Sequence, residues 1–247
     1  MPGYLRSIVF ATILCLVCSL LLTAASTGLR PYQQRNIAAD QQRSILTAFN
    51  IVDETQDVGT EEIVRLYNEN IRMAWVDGSG RLVAESQQTP GALPLYLYVK
   101  NDAVQAYGVP IQSRGLWGQI SAYLAVESDG STVRGFTVFQ HGETPGLGGE
   151  IEMRWFRKQF EGKKLTDPQG QFVSVRVAKG SVERVVPPER RVNFVDGISG
   201  ATLTGQFLSD GIADVLQDYE PLSSQFRRGG AGDLEAPPQA SDPSAGR

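Results

Sequence analysis

The chain has 247 residues, 41% of them hydrophobic and 20% charged, a composition that excludes a disordered protein, a collagen and a coiled-coil rod. Its 23 Lys and Arg against 27 Asp and Glu leave a net charge of −4, too little basic field to grip a phosphate backbone, so nucleic acid is not an expected partner. With one histidine, His141, and two cysteines, Cys15 and Cys18, the chain cannot by itself build a zinc finger, a cysteine-ligated iron–sulfur cluster or a multi-histidine metal site outside that short pair.

No charged side chain occurs from Ser7 to Leu29. That run exceeds the apolar core of about 7–15 residues of a secretory signal and suits a membrane-spanning helix, so residues 1–29 are expected to be an uncleaved anchor. Thr23-Ala-Ala-Ser26 keeps open the rival reading, a signal cut at small residues. Arg6 on one side and Arg30, Arg35 and Arg43 on the other leave orientation undecided by charge counting. The short amino-terminal stub is that of a signal anchor, which would export the rest of the chain. Cys15 and Cys18 fall within the span, where packing as small apolar side chains is the expected role.

Residues 30–225 are expected to form one α+β domain outside the cytoplasm, led by a helical stalk over Pro31 to Phe49. A second helix is predicted from Thr60 to Ile71, where Ile63, Leu66, Tyr67 and Ile71 recur at helical spacing. The period then changes. Arg72 to Asp77 and Arg81 to Glu85 read as a hairpin, Leu95 to Val99 as a strand, and Ile120–Glu127 with Thr132–Phe139 as the clearest hairpin, turned at Asp129-Gly130. Glu152 to Phe160 is predicted as a short helix and Gln171 to Val177 as a strand. Residues 226–247 carry almost no large apolar side chain and are expected to be a disordered tail.

Two segments can carry chemistry. His141-Gly-Glu-Thr-Pro-Gly-Leu-Gly-Gly-Glu150 can bring backbone N–H groups close to a ligand, or can be a tight connection with structural glycines; it has neither Walker nor dinucleotide spacing. Asp196-Gly-Ile-Ser-Gly-Ala-Thr-Leu-Thr-Gly205 leads into a helix bearing Leu203, Phe207, Ile212, Val215, Leu216 and Tyr219. Hydroxyls at a helix start either cap its first turn or help hold an anion at the positive end of the dipole.

Asp196-x-x-Ser199-Gly200-Ala201-Thr202 matches the flavinylation motif of the FMN-binding domain family, whose final threonine is esterified to FMN. With the anchor, Gly115-Leu-Trp117 and the Glu143-Thr-Pro-Gly-Leu-Gly148 loop, the chain from the anchor to about Tyr219 resembles the C subunits of sodium-translocating NADH:quinone oxidoreductases. The resemblance implies a single transmembrane helix carrying one mixed α+β FMN-binding domain on the periplasmic side of the inner membrane. It also implies FMN covalently bound at Thr202, with Ser199, Gly200 and Ala201 forming the acceptor turn, Leu203 covering the cofactor and Thr204 donating to its phosphate. Asp196 would assist attachment, by orienting the hydroxyl or a metal, or would cap a local turn. Glu143, Thr144, Leu147 and Gly148 would approach the isoalloxazine, and Trp117 would form its opposite wall; His141 would tune the flavin or merely pack. Gly205 stands where the family commonly has Ser.

The implied function is electron relay from an iron–sulfur centre in neighbouring membrane subunits toward a second attached flavin and eventually quinone. NADH would bind another subunit, a separate flavin transferase would load the FMN, and no catalytic residue or complete activity is expected of this chain alone. The neighbouring reading is the G subunit of the related Rnf electron-transport complex. A membrane-anchored scaffold without cofactor, or a module that binds a phosphorylated ligand reversibly, are the readings from other classes.

Overall fold

The computed structural model describes residues 2–83 and 90–229, and of residues 31–36 the backbone alone. It divides into two compact units, Met1–Gln41 and Gln42–Arg247, with helix α1 (Gly3–Ala48) running through the junction. Within α1, Gly3–Arg30 reaches a mean hydropathy of 2.6, has none of that window buried, and is long and apolar enough to cross a membrane. At 1.5 Å per residue its span is about 42 Å against a hydrocarbon core of about 30 Å. The stalk is thus a continuation of the anchor helix.

The second unit is built on a six-stranded antiparallel sheet of order β2-β1-β3-β4-β5-β6. Its strands are β1 (Ile71–Val76), β2 (Leu82–Val83), β3 (Leu93–Lys100), β4 (Ala103–Arg114), β5 (Gln119–Glu127) and β6 (Val133–Gln140). Helix α2 (Thr60–Asn70) precedes it, as its apolar spacing predicts. Residues 84 and 85, assigned by pattern to β2, lie outside the described residues.

The end of α1, the segment after it and α2 cover one sheet face: Ile45, Leu46, Phe49, Val52 and Ile63 pack with Tyr96, Ala106, Tyr123 and Ala125. Phe49 reaches so deep that a Cβ on Gly108 would lie 2.7 Å from its ring. Helices α5 (Thr202–Asp218) and α6 (Glu220–Arg227) cover the other face with the segment between β6 and α5. There the Tyr107 ring stacks on Phe226 at 4.8 Å and its hydroxyl shares a 2.7 Å hydrogen bond with Ser223.

Pattern reading passes over β4, the strand that carries both faces. Gly108, Pro110, Gln112 and Ser113 interrupt its apolar run, yet it pairs with β5 from Ala106↔Glu127 to Arg114↔Gln119. Pairing with β3 ends at Tyr96↔Gly108, so Pro110 sits where that edge of β4 has no strand beside it.

Between β6 and α5 the regular elements are short: α3 (Arg154–Arg157) between 3-10 turns, β7 (Arg176–Val177), α4 (Val182–Val185) and β8 (Phe194–Val195). The strand expected over Gln171–Val177 shrinks to β7 and one bridge, Thr166↔Phe172, because Ser174 turns left-handed at φ 62°. The helix expected over Glu152–Phe160 is divided into α3 and its flanking 3-10 turns. The tail boundary also moves: Phe226 and Arg227 belong to α6, and Phe226, 2% exposed, to the core, while residues 230–247 lie outside the described residues.

Candidate functional site

The segment from Asp196 to Ala201 links β8 to α5, and its first half is bound into the domain. Asp196 accepts the Val182 N–H through Oδ1 at 2.6 Å, at the start of α4, and its own N–H donates to Gln159 Oε1 at 2.8 Å. Gly197 donates its N–H to the Gly180 carbonyl at 2.9 Å. A Cβ there would lie 2.2 Å from the Ala178 carbonyl oxygen, so only glycine fits. Ile198 and Ala201 are buried, whereas Ser199, Gly200, Thr202 and Leu203 are exposed. Gly200 takes a left-handed φ of 75°, turning the chain into α5.

Thr202 is the first residue of α5, and no side chain caps that helix. Of the two readings left open by the sequence, side-chain capping is therefore not realised. The first-turn N–H groups and the positive end of a 17-residue dipole remain directed at whatever lies beside Thr202. These features fit a phosphate esterified at that hydroxyl.

The glycine loop closes on the same corner. Glu143, 5% exposed, accepts the Trp117 N–H on Oε1 at 3.0 Å and the Thr204 hydroxyl on Oε2 at 2.5 Å. A Cβ on Gly148 would lie 2.6 Å from Glu143 Oε2 and 2.7 Å from Thr204 Oγ1; one on Gly115 would lie 2.5 Å from Glu143 Oε1. Both glycines are needed for that approach. Within the loop the Thr144 carbonyl accepts N–H groups of Leu147 at 3.1 Å and Gly149 at 2.9 Å. Leu147 reaches the acceptor turn, since a Cβ on Gly200 would be 2.8 Å from its Cδ2.

Sequence-predicted residues thus meet, with altered roles. Thr204, 1% exposed, gives its one hydroxyl proton to Glu143, which corrects its assignment as phosphate donor. The Glu143 side chain points into the protein. Trp117, 71% exposed, Leu147 and Leu203 are exposed apolar side chains, of which Leu203 follows Thr202 on α5 and Leu147 lies against Gly200. Asp196 serves the start of α4, so the turn-capping reading of its carboxylate is the one that the hydrogen bonds realise. His141 accepts the Glu143 N–H on Nδ1 at 3.1 Å, which leaves its Nε2 to donate to Glu152 at 3.0 Å. A Cβ on Gly205 would sit 2.9 Å from Val177 Cγ1, so the missing serine at that position is accounted for by packing against β7.

A cleft of about 910 Å³ runs from Thr202 along α5, past Gln206, Asp210 and Asp214, under the β7–β8 segment. Its walls carry three cations absent from the pattern reading: Lys179, Arg176, which pairs with Asp210 at 3.3 Å, and Arg190, stacked over Phe194 at 5.4 Å. No local signal marks them, because they come to the cleft from separate short segments. Nor does any local signal mark Gly115 as the seat of Glu143. Among the described residues no cluster of three or more His, Cys, Asp or Glu could hold a metal ion.

Comparison with known proteins agrees with this geometry. The family model described as FMN-binding domain matches residues 115–217, from the Glu143 seat through most of α5. The chain is 34% identical to the C subunit of the Na(+)-translocating NADH-quinone reductase of Yersinia pestis, over 91% of this chain and 93% of that one. It is 30% identical to the C subunit of the Pseudomonas aeruginosa reductase over 92% and 97%. The crystal structure of the C subunit from Parabacteroides distasonis superposes with a TM-score of 0.67 at 30% identity, covering 79% of this chain and 97% of that one. With near full-length similarity to these relatives, and an FMN-binding domain match that spans the glycine loop and the turn before α5, the chain belongs to the family of Na(+)-translocating NADH-quinone reductase C subunits.

Proposed function

We propose that this chain relays electrons within a membrane-bound, Na+-translocating NADH:quinone reductase through FMN joined by a phosphoester to Thr202. The observation that carries the reading is the exposed hydroxyl at the first position of α5, a helix start that no side chain caps, facing a loop whose Leu147 reaches the acceptor turn. FMN, when bound, supplies the capacity to accept and pass electrons singly.

The polypeptide holds and shields it. The first-turn N–H groups and the helix dipole offset the charge remaining on the diester, with Lys179, Arg176 and Arg190 along the adjoining cleft. Leu147, Leu203 and Trp117 offer apolar surface to the ring, and Gly148 and Thr144 offer loop backbone to its polar edge. Ser199, Gly200 and Ala201 shape the turn, and Asp196 fixes where that turn begins by tying it to α4. Loading requires a flavin transferase acting on FAD: the Thr202 oxygen bonds to the flavin-side phosphorus, the pyrophosphate bond breaks, AMP leaves, and the hydroxyl proton passes to a base.

Helix α1 holds the domain at the inner membrane with the sheet domain on the periplasmic side, next to the iron–sulfur and flavin subunits of the complex. NADH binds elsewhere in the assembly, so the isolated chain has no NADH:quinone activity. Coexpression with a flavin transferase, followed by intact-mass analysis and in-gel fluorescence after denaturing electrophoresis, tests the assignment. The parent chain gains the mass of one FMN phosphodiester and fluoresces, while Thr202→Val does neither. A parent chain at its plain sequence mass, or a fluorescent Thr202→Val, overturns it.

A further inference from the structure

Glu143 is the one carboxylate of the glycine loop whose side chain is buried, and its two oxygens are divided between two other segments. Oε1 takes the Trp117 N–H at 3.0 Å and Oε2 takes the Thr204 hydroxyl at 2.5 Å. The 115–118 turn is closed beneath it by the Gly115 N–H bonded to the Gly118 carbonyl at 2.6 Å. Glycines stand on both sides, where a Cβ at Gly115 or Gly148 would come within 2.6 Å of a carboxylate oxygen. Among the described residues no Lys or Arg forms an ion pair with it, so its charge is met only by neutral donors. Burying a carboxylate this way is costly unless its hydrogen bonds are made, and charge-assisted bonds of this kind are about twice as strong as neutral ones.

We infer that Glu143 is a positioning residue of the flavin site, a buried anionic clamp that fixes the Trp117 turn and the start of α5 against the glycine loop and lowers the flavin's reduction potential. The inference rests on Thr202 as the FMN acceptor. Thr204 lies two residues beyond Thr202 on the same first turn of α5, so the clamp is rigidly tied to the acceptor. A fixed negative charge tied to the turn that carries Thr202 opposes the addition of an electron to the attached ring, and because Glu143 is buried water screens it little. The effect does not require contact with the flavin.

The test uses the full chain in detergent, coexpressed with a flavin transferase, as parent, Glu143→Gln and Thr204→Ser. Glu143→Gln retains shape and one acceptor while removing the charge and one bond. It is expected to gain the same flavin mass as the parent and to exchange the amides of residues 115–118 and 203–205 about tenfold faster. Its midpoint potential rises by the equivalent of about a tenfold change in the one-electron equilibrium, about 59 mV. Thr204→Ser, which retains the hydroxyl that Glu143 accepts, keeps the parent values. A loaded Glu143→Gln with the parent's potential, or with the parent's exchange at both segments, overturns the clamp. So does a folded Glu143→Gln with parent exchange that takes up no flavin, since Glu143 would then belong to attachment itself. A parent chain without flavin defeats the Thr202 assignment instead, and amide exchange alone then decides the clamp.

Discussion

The sheet interior and the acceptor corner obey opposite rules. In the first, Phe49, Tyr107 and Ile111 are almost wholly buried and every strand is matched to a neighbour. In the second, Trp117, Leu147 and Leu203 lie open, glycines stand where side chains would collide, and a long helix begins without a side-chain cap. Stability is concentrated in the sheet with its two helical covers, and the corner depends on that framework for its geometry. The corner proposed to carry the cofactor is thus the region whose open apolar groups and uncapped helix start the fold leaves unpartnered.

The largest effect expected from separating the two regions is on stability. Phe49→Ala removes a ring that fills the space over Gly108 and whose centroid lies 5.9 Å from that of the Tyr98 ring. It should cost about 3–5 kcal/mol in urea unfolding, while the folded fraction still takes up flavin by mass. If loading is lost from the folded fraction as well, the two regions are not separable.

A methyl group at Gly148 tests the corner instead. Because it would lie 2.6 Å from Glu143 Oε2, Gly148→Ala should cost about 1–3 kcal/mol and reduce flavin loading out of proportion to the folded fraction. Normal loading would show that the loop does not have to close on α5.

The smallest effects are those of conservative change and pH. Asp196→Asn leaves an oxygen to accept the Val182 N–H, and should change stability by about 1 kcal/mol or less with loading retained. Asp196→Ala should lower loading; equal loss in Asn and Ala variants would assign the carboxylate charge to attachment chemistry rather than to the turn. For pH, burial pushes Tyr67 up to about 12 and Tyr107 and Tyr219 upward also. A raised folded-state value means that stability is fully present below the ordinary tyrosine value near 10 and is lost above it. The melting temperature should therefore hold to about pH 9 and decline through pH 10–12. Tyr67 packs on the α1 and α2 side, Tyr107 and Tyr219 on the α5 and α6 side, so Tyr67→Phe reduces only one share of that decline.

The unequal legibility of these regions in the chain follows the same division. The anchor, α2, the β5–β6 hairpin and α5 are visible because periodicity and turn residues act over a few positions. Strand β4 is hidden because Gly108 and Pro110 are allowed only by what surrounds them: Phe49 above one and the end of the β3 pairing beside the other. The β7–β8 pair is parallel and two residues long, so its existence depends on tertiary contact rather than pattern.

By itself the sequence determined a membrane-spanning helix, an α+β domain, and a hydroxyl-rich helix start that matches a flavin acceptor motif. Tertiary structure decided which side of each residue faces that acceptor. It turned Glu143 and Thr204 inward to one another, directed Asp196 to α4, and brought Arg176, Lys179 and Arg190 to the cleft that begins at Thr202. The reason is range: capping, turns and periodicity are set by neighbours along the chain, whereas a buried carboxylate finds its donors 26 and 61 residues away only after the sheet has brought them together.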